Sequence, residues 1–301
     1  MSAKAIDSAK VGAVVVIALA LAGSHAFSQT PAMHSDAAPA ETVVVTGHRP
    51  SAEHLDTVVW NYVFAHGKMS SKIDQLTRWI DPVCPVVRNP PPGFDQFISA
   101  RIKAIAASVG APSKEPCRPN IEIIFTAQPQ TVMDGVAEHD PILLGYHFVH
   151  GKRDAAKVTQ PIQAWYVTAT TNGMQTYTDD PYHGTPGGAA GSRLSHGLQS
   201  VFSPILILAN TDKIAGYPVG PIADYIAMLA LSQAKAEDNC TELSSIMDLM
   251  SSDCADADKP ASLTFSDKAY LEGLYAMKPT LIGSLQRSSI SEHMVRSLNG
   301  Q

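Results

Sequence analysis

A serine and a histidine adjoin each other in a glycine-rich part of the chain, and these two residue types can act as nucleophile and general base. Ser195 and His196 lie between Arg193 and Gly197, so this stretch matches the second half of the Gly-x-Ser-x-Gly pattern of hydrolases. The sharp turn of that pattern requires glycine where this chain has Arg193. A hydrolase that uses the glycine-rich loop around 184–197 is therefore an alternative hypothesis, with Ser195 and His196 as weak catalytic candidates.

The other residues of suitable chemistry lack partners at suitable spacing. Ser232 and Lys235 match Ser-x-x-Lys, but no companion motif accompanies them. His147 and His150 belong to a predicted strand, where alternation would send their side chains to opposite faces. The sequence contains no Cys-x-x-Cys and no histidine at ligand spacing from a cysteine. We therefore expect neither a metal ion nor a cofactor.

Three residues are candidates for binding a ligand. Arg193, on the glycine-rich loop, could hold a carboxylate or a phosphate, and the competing interpretation pairs it with Asp179 or Asp180. The other two candidates are Trp165, in a predicted strand, and Tyr225, in a predicted helix. Both side chains also suit a hydrophobic core.

Composition and charge exclude two classes of protein. The chain has 301 residues, of which 45% are hydrophobic, and this share is too high for a chain that is mainly disordered. Its formal net charge is −6, and no block of lysine and arginine occurs. Both observations argue against nucleic acid as a partner.

The N-terminus has the pattern of a secretory signal. Lys4 and Lys10 precede a run of 13 apolar and small residues at 11–23, which as a helix spans about 20 Å, less than the roughly 30 Å core of a bilayer. Ala26 and Ser28 are small residues suited to a cleavage site. The sequence predicts a signal peptide at 1–28 and a periplasmic or secreted protein without a membrane span after cleavage. An uncleaved membrane anchor is the alternative.

Export changes the interpretation of the four cysteines, because disulfides form in oxidising compartments. Cys84, Cys117, Cys240 and Cys254 allow three pairings. We favour Cys84–Cys117 and Cys240–Cys254, because each pair then lies within one local unit of structure.

Periodicity predicts an α/β (α+β) fold: a single domain with a mixed sheet and helices. Predicted helices are 51–77, 94–109 ending at Gly110, 130–138, 219–233 and 282–298. Predicted strands are 76–87 near a sheet edge, 120–126, 143–149, 164–170 and 204–210. A long loop is expected at 172–197, and a flexible tether is expected at 29–59.

The order of these elements resembles zincin-type metallopeptidase domains, and more closely a family of secreted bacterial zincin-like proteins. The similar parts are 76–126 and 204–276, and within them Arg78-Trp79, Arg118 to Phe125 and Leu263 to Tyr275 carry the likeness. The resemblance implies a zincin-like domain at 60–280, which the two expected disulfides would cross-link, with a C-terminal tail at 281–301.

The chain departs from the zincin pattern at the central helix. Zincins carry His-Glu-x-x-His there, because two histidines four residues apart can reach one zinc ion. If Asp224 stands at the position of the general base, the ligand positions are Ala223 and Ala227, which cannot bind metal. The resemblance therefore implies a non-catalytic relative, a pseudoenzyme that binds an unknown protein or peptide in the cell envelope. Asp224 is the weak candidate if any catalysis survives.

A second resemblance concerns residues 41–49, Glu-Thr-Val-Val-Val-Thr-Gly-His-Arg. This segment resembles the beginning of the mature part of many TonB-dependent outer-membrane receptors. In those proteins it is taken to pair with a periplasmic partner, and a β-branched run on a tether can add to a sheet edge. An accessory role in a TonB-linked system is therefore a further hypothesis, and an ordinary edge strand is the alternative.

Overall fold

A five-stranded mixed sheet organises the protein in the computed structural model, which describes residues 54–146, 148–180, 182–188, 191–235 and 240–300. The strand order is β1-β2-β5-β3-β4. The strands are β1 (Pro85–Arg88), β2 (Ile121–Thr126), β3 (Ile162–Thr171), β4 (Thr176–Thr178) and β5 (Gln199–Asn210). The first two strands and β5 are parallel, whereas β3 is antiparallel to both of its neighbours.

Helices cover both faces of this sheet. They are α1 (Leu55–His66), α2 (Phe94–Ser108), α3 (Pro129–His139), α4 (Phe148–Ala155), α5 (Val219–Leu231), α6 (Phe265–Ala276) and α7 (Gly283–Asn299). Two short 3-10 helices lie at Pro141–Leu144 and Ile246–Met250. None of the helices in the described part of the chain combines the length and the apolar character needed to cross a membrane.

The central strand β5 is buried on both faces, so its side chains divide the interior into two cores. Successive residues of a strand point to opposite faces. Ile205 and Ile207 therefore join the larger core, which α1, α2, α5, α6 and α7 complete. Leu206 and Leu208 join the smaller core with Met133 of α3. The fold is α+β, as predicted.

The predicted strand at 76–87 is shorter in the structure, although its position at a sheet edge is confirmed. Only β1, from Pro85, pairs along its length with β2. Upstream, backbone donors are taken by side chains: Leu76 donates to Gln286 at 2.7 Å and Cys84 donates to Asn120 at 2.8 Å. At these two residues, acceptors on side chains distant in sequence thus take the place of a neighbouring strand.

One other predicted element was wrong, and one predicted helix is shorter in the structure. The predicted strand at 143–149 is instead the end of the 3-10 helix at Pro141–Leu144 and the start of α4. Pro141 suits the first turn of a helix, and Gly145 has φ +89°, which ends any extended run. The predicted helix at 51–77 ends at His66, because the chain turns at Gly67, whose amide donates to the Val63 carbonyl.

The strongly periodic elements were predicted well. The structure confirms the helices near 94–109, 130–138, 219–233 and 282–298, and the strands near 120–126, 164–170 and 204–210. Gly110 follows α2 with φ +77°, the left-handed conformation that favours glycine after a helix.

The core extends beyond the predicted domain limits of 60 and 280. Leu55 and Val59 of α1 are buried, although they fall in the predicted tether. Ile290 and Met294 of α7 are also buried, although they fall in the predicted tail. Both terminal helices are therefore structural parts of the domain. The predicted signal peptide and residues 41–49 lie outside the described residues.

Both predicted disulfides are present, Cys84–Cys117 and Cys240–Cys254. The first joins the segments that lead into β1 and β2. The second closes a loop around the 3-10 helix at Ile246–Met250. Their sequence separations are 33 and 14 residues, for which the chain-entropy model gives about 3–4 kcal/mol of stabilisation each.

A buried carboxylate, Asp267, joins three segments of the larger core. Its oxygens accept hydrogen bonds from the Tyr62 hydroxyl (2.6 Å), the Ser245 hydroxyl (2.7 Å), the Ile246 amide (2.8 Å) and the Thr264 amide (2.9 Å). Thr264 and Asp267 also form the capping box of α6. The carboxylate thus fixes α1, the 3-10 helix and α6 to one another.

Burial and the Asp267 carboxylate raise the pKa of Tyr62 well above its ordinary value. The hydroxyl therefore stays protonated and donates its hydrogen bond. Hydrogen bonds to a charged acceptor are worth about 1.5–3 kcal/mol each, and a donor left without an acceptor costs more.

We predict that Asp267→Ala lowers the free energy of unfolding by about 3–5 kcal/mol, because several buried donors lose their acceptor at once. Tyr62→Phe should cost about 1.5–3 kcal/mol, because it removes one hydrogen bond to a charged group. Urea unfolding followed by far-UV circular dichroism measures both. Asp256→Ala is the matched control, since that side chain is 97% exposed and its removal should leave the free energy of unfolding nearly unchanged. A cost for Asp267→Ala no larger than that of the control would contradict the assignment.

Candidate functional site

A cavity of about 930 Å³ lies between β3 and the helices α1, α5 and α7. Ile162, Ala164 and Tyr166 form one wall, and they share one face of β3 because they alternate along it. Tyr225 and Leu229, one turn apart on α5, form the opposing wall. The volume falls within the range of small-molecule sites, roughly 300–1,000 Å³.

Three residues that line the cavity carry a buried polar atom with no hydrogen-bond partner among the described residues. These atoms are the Tyr225 hydroxyl oxygen, Gln233 Oε1 and Arg287 Nε. Buried polar atoms almost always have a partner, and the lack of one costs about 1–3 kcal/mol. Three of the unpartnered buried atoms in the described part of the chain therefore belong to residues that border one cavity.

The two tyrosines of the cavity differ in their hydrogen bonding. The Tyr166 hydroxyl donates to the Leu229 carbonyl at 3.0 Å, whereas the Tyr225 hydroxyl has no partner among the described residues. Burial raises the pKa of both side chains above the ordinary value. Both therefore stay neutral, and Tyr225 retains a hydrogen-bond donor.

Arg287 of α7 is held against the end of α1. Its guanidinium lies 4.2 Å from the centre of the Phe64 ring, a cation–π contact, and its Nη2 donates to the Gly67 carbonyl at 2.9 Å. Lys68 follows Gly67 directly and also lines the cavity. The two cations therefore belong to the same side of the cavity.

The described lining is positively charged, although the whole chain is acidic. Its cations are Lys68, Lys235 and Arg287, and its one acid is Asp74. The formal net charge of the chain is −6. The cavity therefore differs in sign from the average surface of the protein.

Asp224, the candidate carried by the zincin resemblance, does not line this cavity. Both of its oxygens bind the Arg101 guanidinium, at 2.6 and 3.0 Å, and one also accepts from the Leu263 amide at 2.7 Å. The side chains of Asp224 and Arg101 are only 1% and 7% exposed. This buried ion pair joins α5 to α2 and offers no access to a substrate.

Ser195 and His196 lie in a loop that packs against the chain before α7. The Ser195 hydroxyl accepts from the Gly197 amide at 3.2 Å, and the His196 amide donates to the Thr280 carbonyl at 3.0 Å. Within the part of the chain that the structure describes, no hydrogen bond joins the Ser195 hydroxyl to an imidazole. The nucleophile and base of the hydrolase hypothesis are therefore not brought together.

An acid–histidine pair occurs in the same region. His183 Nδ1 lies 2.6 Å from an Asp180 oxygen, and Lys72 donates to the carbonyls of both residues. Asp179 accepts from two threonine hydroxyls of β3. The alternative pairing of Arg193 with Asp179 or Asp180 is therefore wrong. The exposed Arg193 forms no ion pair with any described residue.

The predicted binding residues are separated by the sheet. Tyr225 lines the cavity on the side of the larger core, whereas Trp165 packs in the smaller core. The Trp165 indole donates to the Ala155 carbonyl at 2.7 Å, so its polar atom is already satisfied.

One group of potential metal ligands occurs among the described residues: Cys240, Asp248 and Cys254 lie within 4.8 Å of one another. The two cysteines form a disulfide, so neither offers a thiolate. Burial raises the pKa of Asp248, which also disfavours a charged ligand there. The donor set is therefore poorly suited to a metal ion.

Sequence reasoning missed most of the cavity residues. Lys68 and Gln233 lie just after helices, and Arg287 lies in the predicted tail. No motif marks them, because residues separated by more than 200 positions meet only in the folded chain. The unpartnered polar atoms could be found only from the three-dimensional packing.

Comparisons with models of protein families, with curated proteins and with solved structures found no match to this chain. The zincin-like resemblance and the resemblance of residues 41–49 to TonB-dependent receptors therefore stay predictions.

Proposed function

We propose that this protein is an exported, non-catalytic binding protein that takes a small organic molecule into the cavity between β3 and the helices α1, α5 and α7. The observation that carries the proposal is a cavity of small-molecule size whose walls are apolar and whose lining includes three cations and one acid. The predicted signal peptide at 1–28 and the two disulfides support export to the periplasm or beyond.

The chemistry of the cavity supports binding without catalysis. None of the described residues that line it is a histidine, a cysteine or a serine, the types that most often act as base or nucleophile. In a zincin-like relative, Asp224 would stand at the position of the general base. Its two oxygens are engaged by Arg101 and by the Leu263 amide, which supports the interpretation as a pseudoenzyme.

A partner in the cell envelope is compatible with this function. Residues 41–49 have the composition of a segment that can add to a sheet edge. The accessory hypothesis concerns this segment of the sequence, whereas the small-molecule hypothesis concerns the cavity.

We predict that an aromatic fluorescent probe binds the protein at one saturable site inside the cavity. The probes are anilinonaphthalene sulfonate and its uncharged counterpart phenylnaphthylamine, and the measurement is a fluorescence titration. Ala164→Trp should raise the dissociation constant at least about tenfold, because the indole occupies the cavity. Thr159→Trp, at an exposed residue of the lining, is a second blocking variant that avoids crowding of β3.

The matched control is Ala107→Trp, an exposed residue of α2 outside the lining, which should bind the probes as the parent does. Thermal melts of all variants identify any that are unfolded, since partly unfolded chains also bind such dyes. If neither probe binds, or if both blocking variants bind like the control, the proposed function is wrong.

We further predict that the ion pair of Asp224 with Arg101 stabilises the folded protein. Arg101→Ala should lower the free energy of unfolding by about 3–5 kcal/mol, because it leaves a buried carboxylate without its cation. Asp224→Asn should cost less than Asp224→Ala, because the amide oxygen can still accept from Leu263. Urea unfolding measures these effects.

The matched control for the ion pair is Arg88→Ala. Arg88 pairs with Glu122 at 3.4 Å, with side chains 60% and 52% exposed, so its loss should cost less than about 1 kcal/mol. Equal costs for Arg101→Ala and Arg88→Ala would show that the buried pair does not hold α2 to α5.

A further inference from the structure

We infer that the cavity binds an amphipathic organic anion, with an apolar or aromatic body and one carboxylate, sulfonate or phosphate-ester head group. This inference rests on the proposed function and adds the chemical class of the ligand. It follows from the arrangement of cations and apolar side chains in the lining.

The cations of one side of the cavity are available for an anion. Neither Lys68 nor Arg287 forms an ion pair with a carboxylate of the described residues. Arg287 is held in place by the Phe64 ring and the Gly67 carbonyl, and its side chain forms no other hydrogen bond with the described residues. A positioned guanidinium of this kind binds planar anions well.

The polar groups elsewhere in the lining are mostly satisfied within the chain. Gln163 Oε1 accepts from the amides of Thr159 and Gln160, and its Nε2 donates to the Lys157 carbonyl. The Tyr166 hydroxyl is bonded to the Leu229 carbonyl. A strongly polar neutral ligand such as a sugar would therefore find few partners.

The opposite side of the cavity is suited to an apolar body. Ile162, Ala164 and Leu229 face it from β3 and α5. Tyr225, which also lines the cavity, is fully buried, so its hydroxyl adds no accessible polar group to this side. A ligand with its anionic head toward Lys68 and Arg287 and its body toward β3 would match both sides.

The test compares two probes that share one aromatic skeleton and differ by a single sulfonate group. Anilinonaphthalene sulfonate should bind at least about tenfold more tightly than phenylnaphthylamine, because charge-assisted contacts add to the same apolar burial. Raising the ionic strength should weaken binding of the sulfonate and leave the neutral probe nearly unchanged.

Lys68→Gln should raise the dissociation constant of the sulfonate about threefold and leave that of the neutral probe unchanged. Arg287→Gln should have a larger effect on the sulfonate, about tenfold, because it removes a positioned donor. Lys114→Gln is the matched control, because it makes the same change of charge at an exposed residue outside the lining. This control variant should change the dissociation constant of neither probe.

The possible outcomes separate this inference from the proposed function. If both probes bind equally, or the neutral one more tightly, the cavity is a binding site but the anionic ligand class is wrong. If Lys68→Gln and Arg287→Gln affect the sulfonate no more than Lys114→Gln does, the inference fails as well. If neither probe binds the parent protein, the proposed function itself fails.

Discussion

The buried Asp267 carboxylate is the interaction on which the arrangement of the larger core depends. A charge in the interior is tolerated only where hydrogen bonds satisfy it, and here the donors come from α1, from the start of the 3-10 helix and from the first turn of α6. These segments lie up to 205 residues apart in sequence. Any displacement of one of them would leave the carboxylate or one of its donors without a partner.

The cavity depends on this constraint through α1. Because Tyr62 is fixed to Asp267, the end of α1 is fixed as well, and with it the Gly67 carbonyl that accepts from Arg287. At the first residue of α7, Gly283, a side chain would collide with the Asp74 carbonyl. The close approach of α7 to the chain after α1 therefore requires a glycine. The hydrogen-bonded core around Asp267 thus fixes one end of a neighbouring cavity, three of whose lining residues carry an unpartnered buried polar atom.

The sequence predicts the parts of this fold that local patterns specify. The helix near 94–109 and the strand near 204–210 have strong periodicity or strong apolar character, and both are present. The predicted strand at 143–149 was wrong, because Pro141 and the positive φ of Gly145 outweigh its apolar and aromatic residues. The cavity could not be predicted, since Lys68 and Arg287 meet only after α1 and α7 pack together. Of the predicted binding residues, only Tyr225 lines the cavity. Its helix is apolar on nearly every side, so the sequence pattern does not indicate which side borders a cavity.

Two consecutive residues of α5 have different surroundings. Asp224 is the candidate that the zincin resemblance favours, and Tyr225 lines the cavity. Successive residues of an α-helix are separated by about 100° around its axis, so Asp224 and Tyr225 face different surroundings. Asp224 turns toward α2 and is neutralised by Arg101, whereas Tyr225 and Leu229, one turn apart, face the cavity. The face that would hold metal ligands in a zincin carries alanines at 223 and 227, both fully buried. Tight packing on that face fixes the helix, and the fixed helix holds Tyr225 in the wall of the cavity. If the chain is a zincin-like relative, the face of its central helix that would be catalytic is structural here, and a different face lines the cavity.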